Sequence, residues 1–455
     1  MQITNFSFLF LFLPLALLLA FLTRKHLRAQ NAALLALSLA FYACSGLRGL
    51  SVLLALSFAV WLLARLRGRG WQTLGIVVCI AALCYFKYTG FLTDNWNRLT
   101  GLNAAIPTIA APLGISFFTF LAISYLADVR RGTIPAERSF GCLLLYFTFF
   151  PKAAQGPLMR YDGLAPQLAQ RRADLPTGIE RFILGLGKKV LLAEAAGKIA
   201  SQVFVLSAVA LTPGKMWLGA ICYALQIFFD FAGYTDMALG LGRMFGFHFL
   251  ENFNYPYVSL SVTEFWRRWH ISLSTWFRDY VYIPLGGNRV SRGKWVRNIL
   301  VVWGLTGLWH GADWNFLLWG LYYGVLLLLE KLWLSKYLER LPKALRWLLC
   351  MIIVCIGWVM FNLTDFAQMR AALARMFRFT HVALSQSLAA DVSIVPPLLW
   401  MIPALVFATP VCRRVHLGES YGAEIVRNVV CLALLAVCIV FSVSATFNPF
   451  IYFRF

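Results

Sequence analysis

Long runs of apolar residues recur along the whole chain and constrain its fold more than any other feature. A run of about 20 apolar residues is long enough to cross the roughly 30 Å hydrocarbon core of a bilayer. Only 13% of the residues are charged, against about 25% in soluble domains, so the sequence predicts an integral membrane protein. The runs lie at 5–23, 31–45, 50–65, 71–86, 107–127, 139–150, 181–207, 216–233, 296–309, 315–334, 344–363, 395–411 and 428–447.

Several of these runs are too short to cross a bilayer unaided, so we expect an all-α protein with about 11 transmembrane helices. Re-entrant or interfacial helices would complete it. We expect a single polytopic domain over 1–455, because no long linker, repeat or low-complexity segment interrupts the chain. Its predicted parts are N-terminal helices in 1–138, a central core in 139–335 and C-terminal helices in 336–455.

Positive charge is concentrated in short loops rather than in one large patch. The net charge is +22. Such a charge indicates a nucleic-acid partner only if the cationic side chains share one surface. Loops rich in Lys and Arg stay cytoplasmic, and basic clusters at 24–30, 65–70 and 130–138 alternate with less basic loops. This pattern predicts an extracytoplasmic N-terminus and contact with anionic membrane lipid, and it argues against a nucleic-acid partner.

The first apolar run and the cysteines carry no processing or metal signal. No basic residue precedes the run at 5–23, and the cluster at 24–28 follows it, so we expect a retained span rather than a cleaved signal peptide. The ten cysteines lie mostly inside apolar runs without a C-x-x-C pair. We therefore expect small apolar packing residues and no metal site.

The segment 251–298 is too polar to span a membrane and too aromatic for a simple loop. Ser261 and Glu264 have capping-box spacing, and helical periodicity then predicts an amphipathic helix over 261–283. Such a helix lies in the interface with arginines reaching headgroups, or it lines a polar cavity. Its polar stripe contains Arg267, His270, Ser274 and Arg278; its apolar stripe contains Trp266, Trp269, Leu273, Trp276, Phe277 and Tyr280.

A second histidine, His310, interrupts the apolar stretch GLTGLWHGADWNFLLW at 304–319. Only about a dozen residues separate Asn298 from His310, which is short for a crossing and favours a broken or re-entrant segment. Gly311 is placed to end the helix there. A lone buried histidine is more often a packed core residue, but ionisable groups at membrane depth are candidate functional groups, and imidazole exchanges its proton near neutral pH.

The two histidine segments together resemble the membrane-bound O-acyltransferase family, especially the bacterial branch that O-acetylates alginate and other exported polysaccharides. The resemblance covers most of the chain and is densest between 145 and 330. The matching segments are EFWRRWHISLSTWFRDYVYIPLGGNR (264–289), GLWHGADWNFLLWG (307–320), FFPKAAQGPLMR (149–160), DFAGYTDMALGLGRMFGF (230–247), NFNYPY (252–257) and NPFIYFRF (448–455).

The resemblance implies acyl transfer to a hydroxyl, inside a ring of transmembrane helices around a central funnel. It places the family's catalytic histidine at His310 and its second histidine at His270. The chemistry agrees, because an alcohol needs a base to remove its proton and neutral imidazole can do this. We expect His310 to be that base, and His270 to donate to the oxyanion or orient the acyl carbonyl.

The residues that bind the acyl donor are less clearly indicated than the two histidines. Arg267 and Arg278 could hold phosphates of acetyl-CoA or another acyl thioester, although headgroup contact explains both equally well. We add Trp266 and Ser274 as candidates on the same helix. Asp313 either orients the ring of His310 or caps the next helix. No cofactor is expected to stay bound, and no metal.

Three residues depart from the pattern that the resemblance leads us to expect. Lys152 and Gln155 stand where a glutamine and an apolar residue are expected, and Glu194 stands where an aspartate is commoner. Asp230 and Asp236 are predicted to be structural, each paired or hydrogen-bonded inside the bundle.

The resemblance further implies a bacterial inner-membrane enzyme that receives an acyl group from the cytoplasm. Its expected partners are a periplasmic or extracellular acetyltransferase and an exported polysaccharide or peptidoglycan. The alternatives are D-alanyl transfer to teichoic acid from a carrier protein, a transporter without chemistry, and protein lipidation.

Overall fold

The described chain is built from helices, as the apolar runs predict. The computed structural model describes residues 2–153, 155–206, 211–378, 399–411 and 420–444, and within those ranges it contains no β-strand. The motif at 448–455, together with His381 and His416, lies outside the described residues.

Two compact units divide the fold. The first comprises Met1–Phe182 and Thr235–Glu251, and the second comprises Ile183–Tyr234 and Asn252–Phe455. The candidate residues for chemistry all belong to the second unit.

The first unit holds the N-terminal helices. Two helices, α8 at Leu175–Gly187 and α10 at Pro213–Met244, contribute residues to both units. The helices wholly in the first unit are α1 Leu13–Leu22, preceded by a π-helical turn at Phe8–Phe12, α2 Leu27–Ala43, α3 Leu47–Arg65, α4 Arg69–Thr100, α5 Ile115–Arg131, α6 Phe140–Thr148 and α7 Tyr161–Ala169.

The second unit holds the remaining helices and three further π-helical segments. Its helices are α9 Glu194–Phe204, α11 Val262–Arg268, α12 Ile271–Phe277, α13 Arg292–His310, α14 Trp314–Leu329, α15 Ser335–Leu338, α16 Lys343–Asn362, α17 Phe366–Phe377, α18 Met401–Phe407 and α19 Tyr421–Ser444; a 3-10 turn lies at Pro256–Val258, and the π-helical segments lie at Lys188–Ala193, Arg278–Tyr282 and Glu330–Leu334.

Six helices of the described chain are long and apolar enough to cross a membrane. They are Leu47–Arg65, Arg69–Thr100, Pro213–Met244, Trp314–Leu338, Lys343–Asn362 and Tyr421–Val443, and Phe8–Leu22 forms a shorter apolar helix. Helix α4 extends well beyond the apolar run at 71–86 and continues to Thr100. It ends there because Gly101 adopts the left-handed conformation (φ 71°) typical of a helix C-terminus.

A cluster of phenylalanine rings forms part of the core of the first unit. Phe150 packs edge-on against Phe12 at 5.2 Å between ring centroids and against Phe245 at 5.6 Å. Phe8 and Phe41 pack against the same ring. The cluster brings the start of the chain against the segment that contains Lys152.

Lys152 is buried just after this cluster, at 3% exposure. Its Nζ donates to the backbone oxygen of Tyr146 at 2.6 Å and lies 4.5 Å from the centre of the same tyrosine ring. Burial lowers the pKa of Lys152 to about 7. The lysine that stands here in place of the expected glutamine is therefore shielded from water.

Both buried aspartates of α10 have cationic partners, as their predicted structural role requires. Asp230 accepts from the Nζ of Lys189 at 2.5 Å in the second unit. Asp236 accepts from the guanidinium of Arg181 at 2.6 Å in the first unit, and Arg181 also reaches Glu251 at 2.8 Å. Buried charges are stable when they are paired or fully hydrogen-bonded.

Close packing of α13 against α14 builds the hairpin that carries His310. A Cβ on Gly307 would overlap the backbone oxygen of Phe316, and a Cβ on Gly320 would overlap the backbone oxygen of Trp303. The glycines thus permit backbone contact between the two helices. The segment predicted to be broken or re-entrant is one 19-residue helix, Arg292–His310. It is longer than the apolar run because it begins before Asn298, in the basic segment.

Candidate active site

The first element of the site is α11, which starts at the predicted cap. The Oγ of Ser261 accepts from the amide of Glu264 at 3.1 Å. The carboxylate of Glu264 reaches back as a capping box does, but to the amide of Leu260 at 2.9 Å. Glu330, 5% exposed, accepts from the amides of Val262 and Thr263 at 2.9 and 2.8 Å. This second carboxylate joins the start of α11 to the end of α14.

The predicted continuous helix over 261–283 was wrong, because the chain bends at His270. Helix α11 ends at Arg268, and α12 begins at Ile271. His270 between them has φ 44° and ψ 55°, the left-handed conformation that residues other than glycine rarely adopt. The periodic pattern hides the bend, since a single left-handed residue redirects the axis without interrupting the apolar stripe.

The ring of His270 is enclosed by aromatic residues. It is 1% exposed, with the edge of Phe231 at 4.6 Å and Trp309 at 6.0 Å between ring centroids. Neither ring nitrogen has a hydrogen-bond partner among the described residues. Burial, and secondarily the neighbouring His310, lower the pKa of His270 well below its usual value. The imidazole is therefore neutral at pH 7.

His310 is the last residue of α13, as predicted from Gly311. Gly311 has extended backbone (φ −163°) and ends the helix, and a Cβ there would overlap the ring of Phe316. The Nδ1 of His310 lies 2.7 Å from the backbone oxygen of Thr306. Because a carbonyl can only accept, Nδ1 carries the proton and Nε2 carries the lone pair.

Aromatic rings also surround His310, which is 5% exposed. Trp319 lies at 4.9 Å and Phe361 at 5.4 Å between ring centroids. Trp309 contacts the rings of both histidines, at 4.9 Å from His310 and 6.0 Å from His270. The two imidazoles are thus neighbours around one indole.

One cavity of about 220 Å³ contains both histidines. Four other predicted candidates also line it, as part of a wall formed by α11, α12, α13, the end of α14 and the π-helical segments that follow α12 and α14. The predicted residues in the wall are Trp266, Arg267, His270, Ser274, Arg278 and His310. The structure therefore favours the interpretation of α11 and α12 as the lining of a polar cavity.

Two roles were predicted for Asp313, and the structure shows the capping role. It is the N-cap of α14, and its Oδ1 accepts from the amide of Trp314 at 2.6 Å. It is not among the residues that line the cavity. The group that fixes the ring of His310 is instead the backbone oxygen of Thr306.

Lys331 and Thr306 also line the cavity, and sequence reasoning missed both. Lys331 lies near the end of the apolar run at 315–334, where a lysine is typical of a span ending at the membrane surface. Glu330, which binds the start of α11, immediately precedes Lys331, and Lys331 lines the same cavity as Arg267. Thr306 acts through its backbone, which gives no sequence signal.

The cationic residues occupy the more exposed part of the cavity wall. Arg267, Arg278 and Lys331 are exposed, whereas both histidines are buried. Arg278 also pairs with Asp279, at 2.7 Å from Nε to Oδ1. The site therefore combines an accessible cationic region with a buried pair of imidazoles.

Comparison with known proteins identifies the chain's relatives. The membrane-bound O-acyltransferase (MBOAT) family model matches residues 137–370. A probable alginate O-acetylase, AlgI, of Azotobacter vinelandii is 36% identical over 98% of this chain and 99% of the relative. A peptidoglycan O-acetyltransferase of Helicobacter pylori is 29% identical over 85% of this chain and 82% of its own.

A teichoic acid D-alanyltransferase of Bacillus subtilis is also similar, at 32% identity over 78% of this chain and 97% of the relative. The family model and these relatives are all named for acyl transfer, which argues against the alternative of a transporter without chemistry. The chain belongs to the membrane-bound O-acyltransferase family and is a membrane-embedded acyltransferase.

Proposed function

We propose that this protein O-acetylates an exported polysaccharide, using an acetyl thioester such as acetyl-CoA from the cytoplasmic side. The observation that carries the proposal is that His270, His310 and three cationic side chains line one cavity. The relatives named for O-acetylation of alginate and peptidoglycan support an acetyl group and a polymer acceptor.

In this proposal His310 is the general base. The lone pair on its Nε2 accepts the proton of the attacking hydroxyl while the oxygen bonds to the acyl carbon. The carbon–sulfur bond then breaks, and the departing thiolate takes the proton back from His310. The backbone oxygen of Thr306 holds the ring and stabilises the imidazolium formed between these steps.

His270 would stabilise the oxyanion of the tetrahedral intermediate. A neutral imidazole carries one N–H, and both nitrogens of His270 are without a partner among the described residues. A donor kept ready in a site that excludes water stabilises developing negative charge more effectively than the same donor in water.

The exposed cations would bind the phosphates of the donor. Arg267 and Lys331 come from different helices to one cavity wall, and Arg278 adds a third cation already paired with Asp279. Guanidinium and ammonium groups both recognise phosphate oxygens. We expect these contacts to hold the donor equally in the ground and transition states.

Donor binding is tested by substituting Arg267→Gln together with Lys331→Gln. We expect KM for acetyl-CoA to rise about 10-fold with kcat nearly unchanged, since uniform binding is lost. Lys336→Gln is the matched control, because this exposed lysine lies just beyond Lys331 and outside the cavity wall. An unchanged KM in the double variant would contradict phosphate binding at this position.

The acyl group itself decides between the two activities that the relatives support. The gene is expressed with its neighbouring export genes in a strain that lacks it, and the exported polymer is analysed by mass spectrometry. O-acetyl groups on a polysaccharide support the proposal. D-alanyl esters on a surface polymer would favour the alternative, for which the Bacillus subtilis relative is the specific observation.

We further propose the finer topology: about 11 crossings of the inner membrane around a central funnel, with an extracytoplasmic N-terminus and a separate acetyltransferase partner outside. The basic loops support this orientation. Single cysteines at Leu102 and Gly132, introduced into a cysteine-free variant, should label from opposite sides with a membrane-impermeant maleimide. Labelling of both from one side would overturn the orientation.

A further inference from the structure

The left-handed bend at His270 leaves the start of α12 without a cap of its own. His270 is the N-cap residue, yet its side chain makes no capping hydrogen bond. An N-cap side chain normally accepts from one of the first amides of the helix. Buried amides that lack such a partner must find another acceptor.

Asn252 provides that acceptor twice. Its backbone oxygen accepts from the amide of Ile271 at 3.0 Å, and its Oδ1 accepts from the amide of Ser272 at 3.1 Å. These are the first two amides of α12. Asn252 is fully buried, so water does not compete for either bond.

The same short segment also holds the chain before the bend. The amide of Asn254 donates to the backbone oxygen of Arg268 at 3.0 Å. The Nη1 of Arg268 donates back to the oxygen of Asn254 at 3.0 Å. Residues 252–254 therefore bind the backbone on both sides of His270.

Phe253, between the two asparagines, packs against the neighbours of the imidazole. Its ring lies 5.1 Å from Trp269 and 5.0 Å from Phe231, centroid to centroid. Phe231 in turn contacts the ring of His270. The segment thus fixes both the backbone of His270 and the aromatic wall beside its ring.

We propose that Asn252 is a positioning residue, which caps α12 in place of His270 and thereby holds the imidazole in the cavity with its nitrogens available to substrate. A histidine that capped its own helix would spend a ring nitrogen on a backbone amide. The capping bonds from Asn252 also offset the cost of the left-handed conformation. This inference rests on the role of His270 in the proposed function.

The test compares Asn252→Ala with wild type in lipid nanodiscs. Acetyl-CoA is the donor, alginate oligosaccharides are the acceptor, and CoA release is measured by mass spectrometry. We expect kcat to fall about 10- to 100-fold, as displacement of a catalytic group predicts, while KM for acetyl-CoA stays near the wild-type value. Asp365→Ala is the control: Asp365 caps α17 by accepting from Gln368 at 2.7 Å, outside the cavity wall.

A double-mutant comparison separates positioning from general support of the fold. If Asn252 acts through His270, Asn252→Ala causes no further loss of kcat in a His270→Ala background. An equal loss in both backgrounds, or a wild-type kcat for Asn252→Ala, overturns the proposal. A wild-type rate for His270→Ala alone would instead refute the proposed role of His270.

Asn252→Asp keeps the test decisive if the alanine variant does not fold. Burial keeps the new carboxyl group protonated at mildly acidic pH, and its oxygen still accepts from Ser272. At pH 6 we expect this variant to recover most of the wild-type kcat. A folded Asn252→Asp protein with the low kcat expected for alanine would contradict the capping role.

Discussion

At the scale of single residues, Lys152 is an amine held away from water. Its native pKa is about 7, against 10.5 for an ordinary lysine, because burial disfavours the charged form. Between these two values the unfolded chain binds more protons than the native chain. Stability contributed by this position therefore rises with pH across that interval and is lowest below pH 7.

The variant Lys152→Met tests this linkage. From pH 7 to 9 we expect wild type to gain about 1 kcal/mol of unfolding free energy per pH unit relative to the variant. Thermal unfolding in detergent across that range measures the difference. Parallel pH dependence of the two proteins would show that the amine is solvated or remains charged.

His270 gives a prediction for the pH dependence of activity. Because burial lowers its pKa well below the usual value, His270 is neutral around pH 7. We expect His270→Ala to lower kcat about 100-fold through loss of the oxyanion donor. The acid-side midpoint of the profile of kcat against pH should stay where it is in wild type, and a shifted midpoint would show that His270 titrates there.

The sequence was informative about residues that act through their side chains. His270 and His310 were found because imidazoles in apolar, aromatic segments are unusual. Lys331 was missed because a lysine near the end of an apolar run has an ordinary explanation at a membrane surface. Thr306 contributes a backbone oxygen, which every residue has, so no residue type could indicate it.

At the scale of elements, the start of α11 and the end of α13 were predictable because caps and glycines are local signals. The break between α11 and α12 was not. It depends on hydrogen bonds from Asn252 and Asn254, which lie more than a dozen residues earlier in the chain. Tertiary contacts of this kind override a helical pattern.

The α13–α14 hairpin gives a prediction at this scale. We expect Gly307→Ala to destabilise the protein by about 2 kcal/mol, because the new Cβ must displace the backbone oxygen of Phe316. Gly293→Ala in the same helix is the control, since no atom lies within 4 Å of its Cβ position. Thermal unfolding should separate the two variants, and equal midpoints would contradict the backbone packing.

At the scale of the whole molecule, the apolar runs predicted an all-helical membrane protein, and the described chain confirms this. The number of crossings is less accessible, because run length and helix length differ. Helix α4 continues beyond its apolar run to Thr100, whereas α6 covers only Phe140–Thr148. The site also depends on the fold, since six separate helical elements contribute residues to one cavity.

The central claim is that His310 performs acyl transfer, and acetylation of the exported polymer tests it most directly. Wild type, His310→Ala and the control His248→Ala, an exposed histidine in the first unit, are expressed at equal membrane levels in a strain that lacks the gene. We expect O-acetyl groups with wild type and the control, and their loss with His310→Ala. Normal acetylation by His310→Ala would show that this histidine only packs the core.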